Sequence, residues 1–134
     1  MIKKISLTTA LTILITGCSS IQLNPNANRI IASTNPAPRA CHYLGQVVGN
    51  QGNYFTGGWT SNANLEEGAM NDLKNKANNL GANYVQIITS RAGITGSMGG
   101  SFNQDNGYVS GSSSQTNVTN VGNAYKCPPR VIGL

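Results

Sequence analysis

The sequence predicts a small α/β (α+β) domain in which one helix packs on a sheet of about three to four strands. Three observations predict it: one segment has helical periodicity, strand-forming residues flank this segment, and a pair of cysteines stands at the two ends of the core. Strand, helix and strand in this order give a β-α-β core, whose crossover would be right-handed if the two strands are parallel. One disulfide would staple this core, and a flexible insertion rich in glycine and serine would interrupt it.

Residues 63–80, ANLEEGAMNDLKNKANNL, carry the helical periodicity. At about 100° per residue, the apolar side chains fall within one arc, which predicts a single buried stripe. The stripe consists of Leu65, Ala69, Met70, Leu73, Ala77 and Leu80. Asn64 and Glu67 have the spacing of a capping box, and Gly81 is a natural left-handed stop.

The predicted strands are residues 41–49, residues 83–90 and a short last strand at 123–127, which two prolines stop. Apolar side chains on both faces of the second strand indicate an interior position in the sheet. Gly45 predicts a bulge or close packing in the first strand. A further short piece, Arg29 to Ala32, is a candidate edge strand.

Residues of about 92–122 hold mostly glycine, serine and asparagine, with Asp105 as the one charge. A segment of this composition cannot bury enough surface to offset its ordering entropy. We therefore expect a mobile, flexible insertion, in which Tyr108 and Val109 form a small hairpin.

Residues 1–17 have the layout of an export signal: Lys3 and Lys4 precede an apolar run that is too short to cross a bilayer. The run ends ILITGC, which resembles a bacterial lipobox. The resemblance implies that Cys18 carries a diacylglyceryl group and a further acyl chain such as palmitate, and two or three chains anchor a protein firmly. The alternatives are an ordinary secreted protein and an uncleaved signal with an idle cysteine.

The segment after Cys18 predicts location and reach. In the Gram-negative sorting pattern that this segment resembles, a serine at position 19 permits transfer to the outer membrane. The resemblance therefore implies a lipid-anchored protein of the cell envelope that faces the periplasm. Residues 18–39 contain three prolines among polar residues, which is typical of a tether. Residues 40–134 would form the domain, and the free tether is shorter if residues 29–34 join the sheet.

Cys41 and Cys127 remain as an even pair in an oxidising compartment, which predicts a disulfide. A cross-link that closes so long a loop stabilises a domain by about 4 to 5 kcal/mol in the chain-entropy model. The alternatives are a reactive thiol and a metal site made of Cys41, His42 and Cys127. Neighbouring side chains on a strand point to opposite faces, so Cys41 and His42 would not easily bind one ion. We therefore expect no metal, and no other cofactor is predicted.

Charge and composition predict neither nucleic-acid binding nor catalysis. Nine basic and four acidic residues give +5, and Lys3 and Lys4 leave with the signal, so the mature balance is seven to four, or +3. The basic residues are scattered, which argues against a nucleic-acid partner. No catalytic residues are predicted, because the acidic residues Glu66, Glu67 and Asp72 are explained by the polarity of the helix.

Tyr54, Phe55 and Trp59 lie in one glycine-rich loop. They either cap the core or form an exposed interaction surface for an envelope protein, peptidoglycan or the membrane.

A polar motif of Asn71, Asp72 and Asn75 occupies the middle of the helix. Asp72 and Lys76 have the spacing of an i,i+4 ion pair. The hypothesis for Asn71 and Asn75 is that they brace the loop of residues 50–62 by hydrogen bonds to its backbone.

Several of these residues form a family pattern: CHYLG at 41–45, GAMNDLKNKA at 68–77, LGAN at 80–83 and YKCP at 125–128. They resemble bacterial lipoproteins catalogued as domain of unknown function 4156, which are related to the outer-membrane lipoprotein sensor of the Rcs stress phosphorelay. The resemblance implies a helix packed on a sheet, on a lipidated stalk, and no enzyme. The sensor has four domain cysteines, whereas this chain has two and carries the glycine-rich insertion.

Together these observations predict a membrane-anchored periplasmic lipoprotein that acts as a protein-binding or envelope-maintenance module without catalysis. The alternatives are an envelope-stress sensor and a metal-binding or thiol protein that uses cysteine and histidine. The sequence leaves the partner and the oligomeric state open.

Overall fold

The computed structural model describes residues 19–53, 57, 60–102 and 107–134. Four strands and one helix follow in order: β1 (Ile31–Ser33), β2 (His42–Gly52), α1 (Asn62–Asn79), β3 (Tyr84–Phe102) and β4 (Gly107–Lys126). Short 3₁₀ helices cover Pro25–Arg29 and Pro129–Val131. This is the predicted α+β fold, with one helix, a four-stranded mixed sheet and a disulfide between Cys41 and Cys127.

The strand order in the sheet is β1-β3-β4-β2. Both β2 and β3 pair antiparallel with β4, so they run in the same direction with β4 between them. The predicted β-α-β order is therefore present, but its two strands are not neighbours, because the last strand is inserted between them. β1 pairs parallel with the start of β3 and forms the edge, close to the predicted edge strand.

The core lies between α1 and one face of the sheet. The predicted stripe is largely confirmed, because four of its six side chains are fully buried in α1: Leu65, Ala69, Leu73 and Ala77. They pack against inward-facing strand residues, namely Val47, Val85, Val118 and Ala124. Met70 is partly buried at the edge of this core, and Leu80, after the helix, is 45% exposed.

The ends of α1 correct one prediction and confirm another. The N-cap is Ser61, whose Oγ accepts a hydrogen bond from the Asn64 backbone N–H at 3.1 Å. Asn64 is therefore inside the first turn, and the predicted capping box of Asn64 and Glu67 was wrong. At the other end Gly81 has φ of +80°, the left-handed conformation that glycine adopts without a Cβ penalty.

The segment predicted to be a flexible insertion, about residues 92–122, is strand over its described residues. β3 and β4 continue as a paired hairpin from Ile94 opposite Gln115 to Phe102 opposite Gly107. Antiparallel pairing satisfies the backbone N–H and C=O groups of both strands, so it does not require large apolar side chains. Tyr108 and Val109 lie within β4, opposite Ser101 and Gly100, rather than in a separate small hairpin.

The predicted tether also differs from the structure, because residues 21–33 lie against the domain. Ala27 and Ile30 are buried in the core beside α1, and β1 joins the sheet directly afterwards. The prolines do not prevent this packing, since Pro25 starts the 3₁₀ helix where its missing N–H is not needed. Within the described residues, no helix is long and apolar enough to cross a membrane.

Candidate functional site

Three side-chain amides hold the backbone of residues 19–24, and we call Gln51, Asn71 and Asn75 the amide clasp. Gln51 Oε1 accepts from the Ile21 N–H at 2.6 Å, and Gln51 Nε2 donates to the Ser19 carbonyl at 3.1 Å. Asn71 Nδ2 donates to the Ile21 carbonyl at 2.8 Å. These contacts fix the segment from its first described residue.

Asn75 extends the amide clasp by one turn of the helix. Its Nδ2 donates to the Gln22 carbonyl at 2.9 Å, and its Oδ1 accepts from the Asn24 N–H at 2.8 Å. Each amide of the clasp therefore binds a backbone that runs along α1, and the contact does not depend on the side chains of the bound segment.

Local geometry explains why these three residues act together. Asn71 and Asn75 are four residues apart and so lie on one face of α1. Gln51 comes from the end of β2 and passes over Gly68, where a Cβ would overlap Gln51 Oε1 and crowd the Ile21 N–H. Glycine at position 68 thus makes room for the Gln51 amide.

Asn71 and Asn75 bind the N-terminal segment, and among the described residues they make no hydrogen bond to the loop of residues 50–62 that they were predicted to brace. Asp72 contacts the end of β2: its Oδ2 accepts from the Asn50 N–H at 2.9 Å. The predicted ion pair of Asp72 and Lys76 is confirmed at 2.7 Å, and Lys76 Nζ also donates to the Val48 carbonyl at 2.8 Å. In the polar motif of α1, Asn71 and Asn75 therefore bind the N-terminal segment, whereas Asp72 binds β2.

Four predicted site residues lie outside the described residues: Cys18, Tyr54, Phe55 and Trp59. Lipidation at Cys18 and an interaction surface at the three aromatics stay predictions.

The disulfide closes the end of the sheet where β2 and β4 meet. Cys41 and Cys127 are 86 residues apart in sequence and flank the paired residues His42 and Lys126. Asn83 locks the same corner, because its Nδ2 donates to the Cys127 carbonyl and its Oδ1 accepts from the Cys127 N–H, both at 2.8 Å. The predicted staple between the first core strand and the last is thus present.

The same corner bears on the alternative of a metal or thiol site. Both sulfurs are joined to each other, and the His42 side chain is exposed on β2. In the part of the chain that the structure describes, no group of three or more histidine, cysteine, aspartate or glutamate residues could hold a metal ion.

A cleft of about 210 Å³ lies on the other side of α1, between the helix and strands β3 and β4. It exists because α1 lies over β2 and β4, while β3 beyond Ile87 extends past the helix. The cleft is lined by Glu66, Met70, Ser90, Ala92, Val118 and Asn120.

Asn120 is the unusual member of this cleft. It is 2% exposed, and its Oδ1 has no hydrogen-bond donor among the described residues. Leaving a buried amide oxygen without a partner costs about 1 to 3 kcal/mol, and such groups are rare in native proteins.

Sequence reasoning missed Asn120 because it lies in the segment that was predicted to be an insertion. The signal was present, since Thr116, Val118, Asn120, Gly122 and Ala124 alternate as inward-facing positions of one strand.

The family described as "Domain of unknown function (DUF4156)" matches residues 21–127. The chain is also similar to the "Uncharacterized protein YjeI" of Escherichia coli (strain K12), with 29% identity over 117 residues that cover 87% of this chain and 88% of that protein. The protein of the same description from Shigella flexneri matches with the same identity and coverage. No solved structure matches the chain.

Proposed function

The chain belongs to the DUF4156 family, and on that premise we propose that it is a lipid-anchored periplasmic protein of the outer membrane. Its domain would act as a binding or envelope-maintenance module without catalysis. The amide clasp is the observation that carries this proposal, because it holds the chain directly after Cys18.

The clasp gives the anchor a fixed position on the domain. Ser19, whose carbonyl accepts from Gln51, is one peptide unit from Cys18, or about 3.8 Å between Cα atoms. A lipid on Cys18 would therefore hold the face that carries Asn71 and Asn75 close to the membrane surface. A long tether would leave the orientation of the domain free, whereas the clasp sets it.

The hydrogen bonds of the clasp favour a positioning role over a role in folding. All five are exposed, and an exposed hydrogen bond contributes about 0.5 to 1.5 kcal/mol at most. The core of α1 and the sheet is built without them. Ordering residues 19–24 in this way is useful if the residue before them is the point of attachment.

The disulfide supports the proposed compartment. Structural disulfides persist in the bacterial periplasm and are rare in the cytosol. The Cys41–Cys127 bond also leaves neither sulfur as a free nucleophile, which favours binding over thiol catalysis.

The anchor is tested with Cys18→Ala in the full chain. We expect membrane fractions to lose the protein and labelled palmitate to be no longer incorporated, while the thermal midpoint of the domain is unchanged. Processed protein that stays in the membrane fraction without Cys18 would contradict the proposal.

The position of the anchor is tested with Asn75→Ala and its matched control Asn78→Ala. Asn78 lies on the same helix, and its side chain makes no hydrogen bond among the residues that the structure describes. The backbone N–H groups of Ile21 and Asn24 donate to the clasp, so their hydrogen exchange should be slow in the unaltered protein. Exchange at Asn24 should become fast in Asn75→Ala and should stay slow in the control. Fast exchange of both amides in the unaltered protein would show that residues 19–24 are not held.

The envelope-stress sensor stays a prediction. It would require that deletion of the protein alters a reporter of that response.

A further inference from the structure

We propose that the cleft beside α1 binds an alkylammonium group, with its charged end at Glu66 and Asn120 and its methylenes against the apolar walls. This site is separate from the amide clasp and stands whether or not Cys18 carries lipid.

The first step is the acceptor. Asn120 Oδ1 is buried and lacks a donor among the described residues, while the residue itself lines the cleft. A small turn of the Asn120 side chain would bring this oxygen to the cleft surface, where an N–H donor would satisfy it and a carbonyl or carboxylate ligand would not.

The second step is the charge. Glu66 lines the cleft and forms no ion pair within the described part of the chain, in contrast to Asp72, which is bound to Lys76 and Asn50. A carboxylate accepts hydrogen bonds and attracts a cation, so it selects an ammonium group over a neutral amide. Glu67 is adjacent in sequence but about 100° away around the helix, and it does not line the cleft.

The third step is the size and polarity of the walls. Met70, Ala92 and Val118 present apolar surface, which suits an aliphatic stem. The volume of about 210 Å³ is below the roughly 300 to 1,000 Å³ of sites for drug-sized ligands. The cleft therefore fits a group as large as a lysine side chain or a short diamine.

Two sources carry this chemistry, a free diamine and the lysine side chain of a protein or peptide. The probes are 1,5-diaminopentane and Nα-acetyl-lysine amide, and 1,5-pentanediol is the neutral analogue of the same length. Each is titrated into the full chain, labelled with ¹⁵N and purified in a non-ionic detergent, while the amide signals of Ser90, Ala92 and Asn120 are followed.

We expect saturable shifts with the diamine and at least tenfold weaker binding of the diol. Glu66→Gln should weaken diamine binding about tenfold, the effect of one hydrogen bond to a charged group. Glu67→Gln, the matched control, should change it less than twofold. Ala92→Leu, at an exposed strand position, should fill the cleft and abolish binding without unfolding the protein.

Shifts that do not saturate, equal binding of the diol, or equal loss in Glu66→Gln and Glu67→Gln would each overturn the proposal. If the lysine derivative binds as well as the diamine, the group belongs to a protein or peptide. If it does not bind, the group belongs to a free diamine.

Discussion

The side-chain amides on the two sides of α1 differ in their burial and in their hydrogen-bond partners. On the side of the amide clasp, Gln51, Asn71 and Asn75 are exposed or half-buried, and all three bind the backbone of residues 19–24. On the side of the cleft, Asn120 is buried and its oxygen has no donor among the described residues. The first arrangement is complete among the described residues, whereas the second would be completed by the ligand proposed above.

The largest expected effect comes from Leu73→Ala, which removes the common support of both sides. Leu73 is fully buried between α1 and the sheet, so the substitution should lower the free energy of unfolding by about 2 to 5 kcal/mol. Urea denaturation measures it. Leu80→Ala is the control, and a loss there as large as at Leu73 would contradict the described core.

Gly68→Ala should break the clasp side alone. Alanine favours a helix by about 1 kcal/mol over glycine, but its Cβ would displace Gln51, whose two hydrogen bonds contribute about 1 to 3 kcal/mol together. We expect net destabilisation of about 1 kcal/mol.

In a Gln51→Ala background the sign of Gly68→Ala should reverse, since the clash with Gln51 is gone, the Ile21 backbone has lost its Gln51 hydrogen bond and can shift, and the helix propensity remains. A stabilising Gly68→Ala in the unaltered protein would show that Gln51 does not lie over position 68.

Removal of a side-chain amide should lower the free energy of unfolding on the clasp side of α1 and raise it on the cleft side. Asn75→Ala should lower the free energy of unfolding by about 1 kcal/mol, because two hydrogen bonds are lost. Asn120→Val should raise it by about 1 kcal/mol in the absence of ligand, because a buried oxygen without a donor is removed.

Thr119→Val, at the neighbouring position of β4 where the side chain points to the other face, controls for strand propensity. If Asn120→Val destabilises the protein as much as Asn75→Ala, then Asn120 has a partner within the chain.

The smallest effect concerns the contact between α1 and β2. Lys76→Met removes the ion pair with Asp72 and the bond to the Val48 carbonyl, at a cost of about 0.5 kcal/mol. Part of this cost should vanish in 1 M salt, where the Debye length is about 3 Å. Lys74→Met should have no such salt-dependent effect. Equal effects at both positions would show that the ion pair does not contribute to stability.

The helix could be predicted because its signals are local. The spacing of Leu65, Leu73 and Ala77 defines the buried stripe, and Gly81 ends it, all within one short segment. The disulfide could be predicted because an even pair of cysteines, in a chain whose first residues predict export, leaves few choices.

The N-terminal segment could not be predicted in the same way, because the partners of its backbone are 30 to 53 residues away in sequence. Its prolines and asparagines are typical of a tether, and nothing in their order names Gln51 or Asn75. The family pattern includes the residues that make these contacts, but it does not show what they bind. Asn71 and Asn75 bind this segment, and Asn83 binds Cys127.

The long hairpin was missed for a different reason. The composition of residues 92–122 was judged by the apolar surface it can bury, while β3 and β4 are paired through their backbones. The inward positions of β4 then include small or polar residues such as Asn120 and Gly122, which hid both the strand and the cleft.

The amide clasp has a mechanical consequence if Cys18 is tied to a membrane. A pulling force at residue 19 would load the hydrogen bonds of Gln51, Asn71 and Asn75 first and β1 next, while the Cys41–Cys127 bond stops any unravelling at the core. The released stretch of residues 19–41 would span up to about 75 to 80 Å when fully extended. The protein would thus have two lengths, a short one under no load and a long one under tension, in which Ala27, Ile30 and β1 have left the domain while the disulfide holds the rest of the sheet and α1.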